Sequence, residues 1–212
     1  MKRELLIVLI GLTIAYTAFA QQSISLSFSG PTNWTPGTSV TLQCTDTFLN
    51  FGGSYGLSYW LEVNSALAPF LTITGLTYHQ PFLDGNNIGT FPFSFNTTSG
   101  ADPGFLSTTT ANGQSGDLGA TSNPLVLVPD GTYVDITDIT FAIAANAPIG
   151  TFTLRTTTAS PRGTIQVTSD FNDAPFGQAS FVFQVVPEPS TLALLGLAAV
   201  GAGVAAYRRR KA

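Results

Sequence analysis

The chain has 212 residues, of which 44% are hydrophobic and only 9% charged, against about 25% charged in an ordinary soluble protein. Between residues 21 and 186 it carries two basic and ten acidic residues, a net charge of −8, and no lysine. That balance excludes an electrostatic footprint for phosphate backbones, and so nucleic-acid binding; a positive mean hydropathy excludes an acidic disordered chain, and one cysteine excludes an internal disulfide framework or a multi-cysteine zinc site.

The first twenty residues read as an export signal. Lys2 and Arg3 form a basic start, Leu5 to Ile14 an apolar stretch, and Ala18-Phe19-Ala20 a small-x-small cleavage site. Cleavage is therefore expected after Ala20, at the site marked by Ala18 and Ala20, with Gln21 as the new N-terminus. The alternative is an uncleaved anchor, for which the stretch is short.

Residues 21–186 have the size of one domain. Thr (29 residues) and Gly (21) are abundant, a composition suited to strands and turns. Period-2 alternation recurs along the chain: Ile24, Leu26, Phe28; Val40, Leu42, Cys44; Tyr59, Leu61, Val63; Leu71, Ile73; Ile139, Phe141, Ile143; Phe152, Leu154; Ile165, Val167; and Phe181, Phe183, Val185. Turn signals separate these runs, among them Pro36-Gly37, Asp84 to Asn87, Asp130-Gly131 and Pro148 to Gly150. The pattern predicts an all-β fold, an antiparallel β-sandwich of about nine strands. Residues 96–123, rich in Ser, Thr, Gly and Asn, are expected to form a long surface loop.

Chemistry within the body is sparse. Gly52-Gly53-Ser54-Tyr55-Gly56 matches the Gly-x-Ser-x-Gly nucleophile elbow, but a strand rather than a helix is expected after Ser54. His79 is the single histidine, placed at a strand end, and it lacks the second histidine of common metal motifs. Cys44 shares a strand face with Val40 and Leu42 and reads as a small buried hydrophobe. Asp84, Asp130, Asp135, Asp138, Asp170 and Asp173 lie in oxygen-rich turns that suit either solvation or calcium, and none follows a known calcium-loop spacing. Phe82, Phe91, Phe93 and Phe95 suit either an exposed platform for sugar rings or sheet closure. No catalytic set, metal site or cofactor is assigned, and the body is expected to be non-enzymatic.

The C-terminus carries more information. Pro187-Glu188-Pro189 precedes Thr191 to Tyr207, seventeen residues without a charge, and Arg208, Arg209, Arg210 and Lys211 follow. At 1.5 Å per residue such a helix would be about 25 Å long, the lower limit for a bilayer core. The basic tetrad is a cytoplasmic stop under the positive-inside rule. The two prolines keep the junction extended and accessible. The alternative, a buried core helix, has no place in a small β domain. A single transmembrane helix is therefore expected after residue 190, with the body outside the cytoplasm.

This three-part tail resembles the PEP-CTERM sorting signal of Gram-negative bacteria, a region also described as an ice-binding-protein C-terminal domain. The resemblance implies recognition of Pro187, Glu188 and Pro189 by an exosortase-type transpeptidase. It further implies transient membrane anchoring and delivery to the cell surface or an extracellular polysaccharide matrix. It divides the chain into a signal peptide at 1–20, a body at 21–186 and a sorting signal at 187–212. Two short stretches, Asn146 to Leu154 and Gly56 to Leu61, resemble cohesin-like and immunoglobulin-like bacterial surface domains. The expected function is that of an exported surface or matrix protein. The alternative is a secreted module that binds a carbohydrate or a partner.

Overall fold

The computed structural model describes residues 21–85, 93–95, 118–157, 165–175, 177–188, 194 and 196–202. Its strands in chain order are β1 (Ser23–Ser29), β2 (Asn33–Trp34), β3 (Ser39–Leu49), β4 (Ser54–Ser58), β5 (Leu61–Val63), β6 (Leu71–Tyr78) and β7 (Asp84–Gly85), with a 3-10 turn at Ala68–Phe70 before β6. The second half adds β8 (Phe93–Ser94), β9 (Ala120–Thr121), β10 (Gly131–Ile143), β11 (Gly150–Thr156), β12 (Ile165–Thr168), β13 (Asp173–Pro175) and β14 (Ser180–Val185). The all-β expectation holds. The strands outnumber the alternating runs because several two- and three-residue strands are too short to show a period.

Three hydrogen-bonded sheets result, ordered β1-β3-β10-β6-β8, β2-β14-β11-β5 and β13-β12-β4-β9-β7. The strand pairs are antiparallel except β2 with β14. Clean alternation marks the long strands: β1, β3 and β14 bury every second residue over most of their length. One face is solvated and the other packed, as in a sandwich. The first sheet forms one layer. The second packs on it through Trp34 and Phe141, whose rings lie 5.5 Å apart. The third meets it where Gln166 of β12 hydrogen-bonds Asp46 of β3. A single apolar cluster runs through all three.

Three details depart from the sequence pattern. Tyr59, Leu61 and Val63 do not share one strand: the chain changes sheet at Tyr59-Trp60, between β4 and β5. In β12 the apolar pair Ile165 and Val167 is half-buried, whereas Gln166 and Thr168 are buried. The expected loop at 96–123 contains β9, whose Thr121 and Ala120 pair with Gly56 and Leu57; residues 96–117 lie outside the described residues.

A bulge interrupts β10. Tyr133 faces Asp46 and Thr137 faces Cys44, so three residues, Val134 to Ile136, oppose the single Thr45. Asp135 takes a left-handed backbone there, with φ +58°, a conformation that Asp and Asn tolerate better than other L-residues. The result is a local twist that turns side chains out of the ladder.

Candidate functional site

The C-terminal junction is built from the end of the last strand. β14 lies between β2 and β11 in its sheet. Gln184 N–H donates to Thr32 O at 2.7 Å, and Val186 N–H donates to Trp34 O at 2.9 Å. Trp34 anchors this end: its ring stacks on Phe183 with centroids 3.6 Å apart, and its Nε1–H donates to Pro31 O at 2.7 Å. Pro187 has no N–H to continue the ladder, so pairing ends and the chain leaves the sheet, with Glu188 exposed. Residues 194 and 196–202 are helical and exposed throughout, and a Cβ added at Gly196 or Gly201 would meet nothing within 4 Å. The described part of the tail is thus not a core helix of the β body. Among the described residues no helix is long and apolar enough to cross a membrane. Pro189, Ala18, Ala20, Arg208, Arg209, Arg210 and Lys211 lie outside the described residues.

The Gly-x-Ser-x-Gly match is a strand start. Ser54 is fully buried, and its hydroxyl is engaged with Val167 O at 2.9 Å and Gly56 O at 3.0 Å. Gly53 has φ +115°, and a Cβ there would lie 2.7 Å from Val128 O. At Gly56 a Cβ would collide with Ala120 O of β9. These glycines serve close strand approach and a turn, and the Ser54 hydroxyl is bonded to backbone carbonyls within the sheet rather than presented at an exposed elbow. The histidine lies elsewhere, paired with Asp138.

That pair sits beside the β10 bulge. His79 follows the last residue of β6, and its N–H donates to Ile136 O at 2.9 Å. His79 Nε2 lies 3.1 Å from Asp138 Oδ2. One donor atom from each of His79, Asp135 and Asp138 lies within 4.8 Å of the others. Burial and the neighbouring Asp138 raise the Asp135 carboxyl above its ordinary range, and His79 works in the opposite direction. In the sequence 56 positions divide His79 from Asp135; the antiparallel pairing of β6 with β10 joins them.

Asp84, Asp170 and Asp173 are exposed, whereas Asp130 and the described phenylalanines serve the fold. The Asp130 carboxylate accepts from the N–H groups of Phe51, Gly52 and Gly53 at 3.0–3.2 Å, which fixes the turn before β4. Phe82, Phe93 and Phe95 are buried, so they form no exposed platform for sugars; Phe91 lies outside the described residues. Cys44 is fully buried, and burial pushes its thiol up.

One polar group in the interior escaped the sequence reading. Asp46 is fully buried on β3. Gln166 Nε2–H donates to Asp46 Oδ2 at 3.1 Å and to Ser54 Oγ at 2.7 Å, while Asp46 Oδ1 and Gln166 Oε1 have no donor among the described residues. Burial raises the Asp46 carboxyl to about 7, partly opposed by the bonds from Gln166 and Thr47. The available signal was an acid at an inward position of an alternating strand, two residues after Cys44.

On the surface, Leu125, Val126 and Leu127 are exposed between Pro124 and Pro129. Val126 and Leu127 line a groove of about 450 Å³ together with Gln80, Pro81 and Tyr133.

Comparison with known proteins bears on both parts of the chain. No curated protein matches it in sequence. A cohesin module from the family 33 glycoside hydrolase of Clostridium perfringens superposes with TM-score 0.54 at 10% identity, covering 79% of this chain and 100% of that one. The seventh ScaB type I cohesin of Pseudobacteroides cellulosolvens gives 0.48 at 12% identity, over 78% and 93% of the two chains. A CARDB domain from Pyrococcus furiosus gives 0.39 at 9% identity, over 79% and 96%. The body is therefore similar in fold to a cohesin module. Residues 185–211 match the PEP-CTERM protein-sorting motif, a motif that indicates an exported protein.

Proposed function

We propose that the chain is an exported, non-enzymatic protein of the cell surface or extracellular matrix, sorted by an exosortase-type transpeptidase at Pro187, Glu188 and Pro189. The observation that carries this reading is the junction. The body's last strand is clamped inside a sheet up to Val186, and the sorting motif starts as that strand ends. A processing enzyme would thus meet an extended segment held by a rigid domain on one side. The prolines exclude both helix and further ladder pairing at that point. In this reading the signal is cleaved after Ala20, at the site marked by Ala18 and Ala20. The stretch from Thr191 to Tyr207 spans the membrane until processing, and Arg208, Arg209, Arg210 and Lys211 remain in the cytoplasm. The mature body then reaches the surface, where an extracellular polysaccharide is a further partner.

The test is a variant with Pro187, Glu188 and Pro189 all changed to Ala, expressed in a host that has an exosortase. It is expected to accumulate as an uncleaved membrane species while the parent chain is processed. Identical processing and location of the two proteins would refute the proposal.

A second reading, a partner-binding module, draws support from the exposed Leu125 to Leu127 ridge and its groove. Contiguous apolar surface of this kind is a common mark of protein contacts. The burial of Phe82, Phe93 and Phe95 favours a protein over a sugar as the partner. Cohesins crystallised with dockerins occur among the structural neighbours, but their likeness is one of fold and assigns no dockerin here.

A further inference from the structure

We infer that His79, Asp135 and Asp138 form a binding site for one divalent transition cation of the zinc class, held against the β10 bulge. The donor set is one imidazole nitrogen and two carboxylate oxygens. That mixture suits zinc and its neighbours, whereas calcium takes oxygen donors alone. Among the described residues it is the one group of three such side chains close enough to share an ion.

Three features of the geometry support the assignment. First, zinc bonds of about 2.0–2.2 Å in a tetrahedron place neighbouring donors roughly 3.3 Å apart. His79 Nε2 and Asp138 Oδ2 stand 3.1 Å apart, so an ion could replace the shared proton with little movement. Second, Asp135 Oδ1 is closed off from solvent and no donor among the described residues reaches it. An enclosed carboxylate oxygen with no donor is satisfied by a cation or a proton. Third, the backbone is fixed by the β6–β10 ladder and by the bond from His79 N–H to Ile136 O, so two strands hold the donors without a mobile loop. His79 and Asp138 keep side-chain exposures of 39% and 30%, which leaves an open side for water to complete the coordination.

Because His79 is the single histidine, its ring resonances report on the site without overlap. The full chain in detergent is titrated with Zn²⁺ and followed by NMR of the imidazole. A saturable shift with one Zn²⁺ per chain is expected, together with a rise in melting temperature, and Ca²⁺ at the same concentrations should leave the ring unmoved. The double variant Asp135→Asn and Asp138→Asn should bind Zn²⁺ at least about tenfold more weakly. Asn accepts the left-handed backbone of position 135, so the metal-free melting temperature should stay near that of the parent. Asp138→Asn alone, which leaves the bulge untouched, should also weaken binding. No imidazole shift with Zn²⁺, an equal shift in parent and variants, or displacement of Zn²⁺ by equimolar Ca²⁺ would each overturn the assignment.

Discussion

The two seams under the first sheet are built on different principles. Where the β2-β14-β11-β5 sheet packs on it, the contact is aromatic. Trp34 lies 3.6 Å from Phe183 and 5.5 Å from Phe141, and Phe152 continues the row at 6.1 Å from Phe183. Where the β13-β12-β4-β9-β7 sheet packs on it, Asp46, Gln166 and Ser54 form a polar knot within the core. The first seam gains from apolar burial and stacking, which hardly depend on pH. The second adds, to the apolar residues it shares with the common core, hydrogen bonds in a poorly solvating interior, where an ionised carboxylate is costly. The dry seam is also the one that holds the strand leading to the sorting motif. Firm packing therefore lies where the chain would resist unravelling from its C-terminal end, and the pH-sensitive element lies away from it.

The contrast can be broken most forcefully at Trp34. Trp34→Ala removes the ring that joins β2, β14 and β10, and should cost about 3–5 kcal/mol. Chemical denaturation at neutral pH measures this. A loss under about 1 kcal/mol would mean that the aromatic seam is not the main clamp.

Asp46 tests the other seam. Its carboxyl rises from 3.8 to about 7 on folding, so the folded state holds a proton that the unfolded state releases at lower pH. Stability is then fullest below about pH 4, falls as pH rises toward 7, and is level above that. At 1.36 kcal/mol per unit the span is on the order of 4 kcal/mol. Asp46→Asn should flatten this slope, leaving the variant close to the parent at pH 4 and more stable at pH 8. Denaturation midpoints across that range decide it; parallel profiles for the two proteins would remove Asp46 as the cause.

The smallest effect sharpens the picture at the edge of the polar seam. Asp130→Ala deprives the N–H groups of Phe51, Gly52 and Gly53 of their acceptor. About 1–2 kcal/mol should be lost, because these groups are partly exposed and water replaces some of the bonds. Amide exchange should quicken at residues 51–53 while Trp34 fluorescence, read in a Trp60→Phe background, stays unchanged. Loss of the Trp34 signal as well would show that the two seams are not independent.

Much of the fold was legible because alternation is a local code. β1, β3, β10, β11 and β14 follow their period-2 runs, since one face of each meets the core and the other meets water. Gln166 shows where that code fails. It is buried because Asp46 and Ser54, 120 and 112 residues away, need a donor, and no window along the sequence contains that demand. The sheet change at Tyr59-Trp60 and the two-residue strands β2, β7, β8 and β9 escaped for a similar reason: their pairing partners, not their own residues, define them. The histidine stands at a strand end, as its position in the sequence implies. Its carboxylate partners were invisible because antiparallel registry is a long-range property.

The sequence by itself determined the chemistry that is contiguous: the all-β class from alternation, and the tail from Pro187-Glu188-Pro189, an uncharged run and a basic end read in order. Local patterns suffice there because hydrophobic period, proline stiffness and charge act on neighbours along the chain. Only the tertiary structure decided which sheet each strand joined, that Ser54 is buried rather than presented, that Asp46 is shut inside, and that His79 meets Asp135 and Asp138. Those outcomes rest on contacts between residues far apart in the chain, whose energies exist only after the layers have closed.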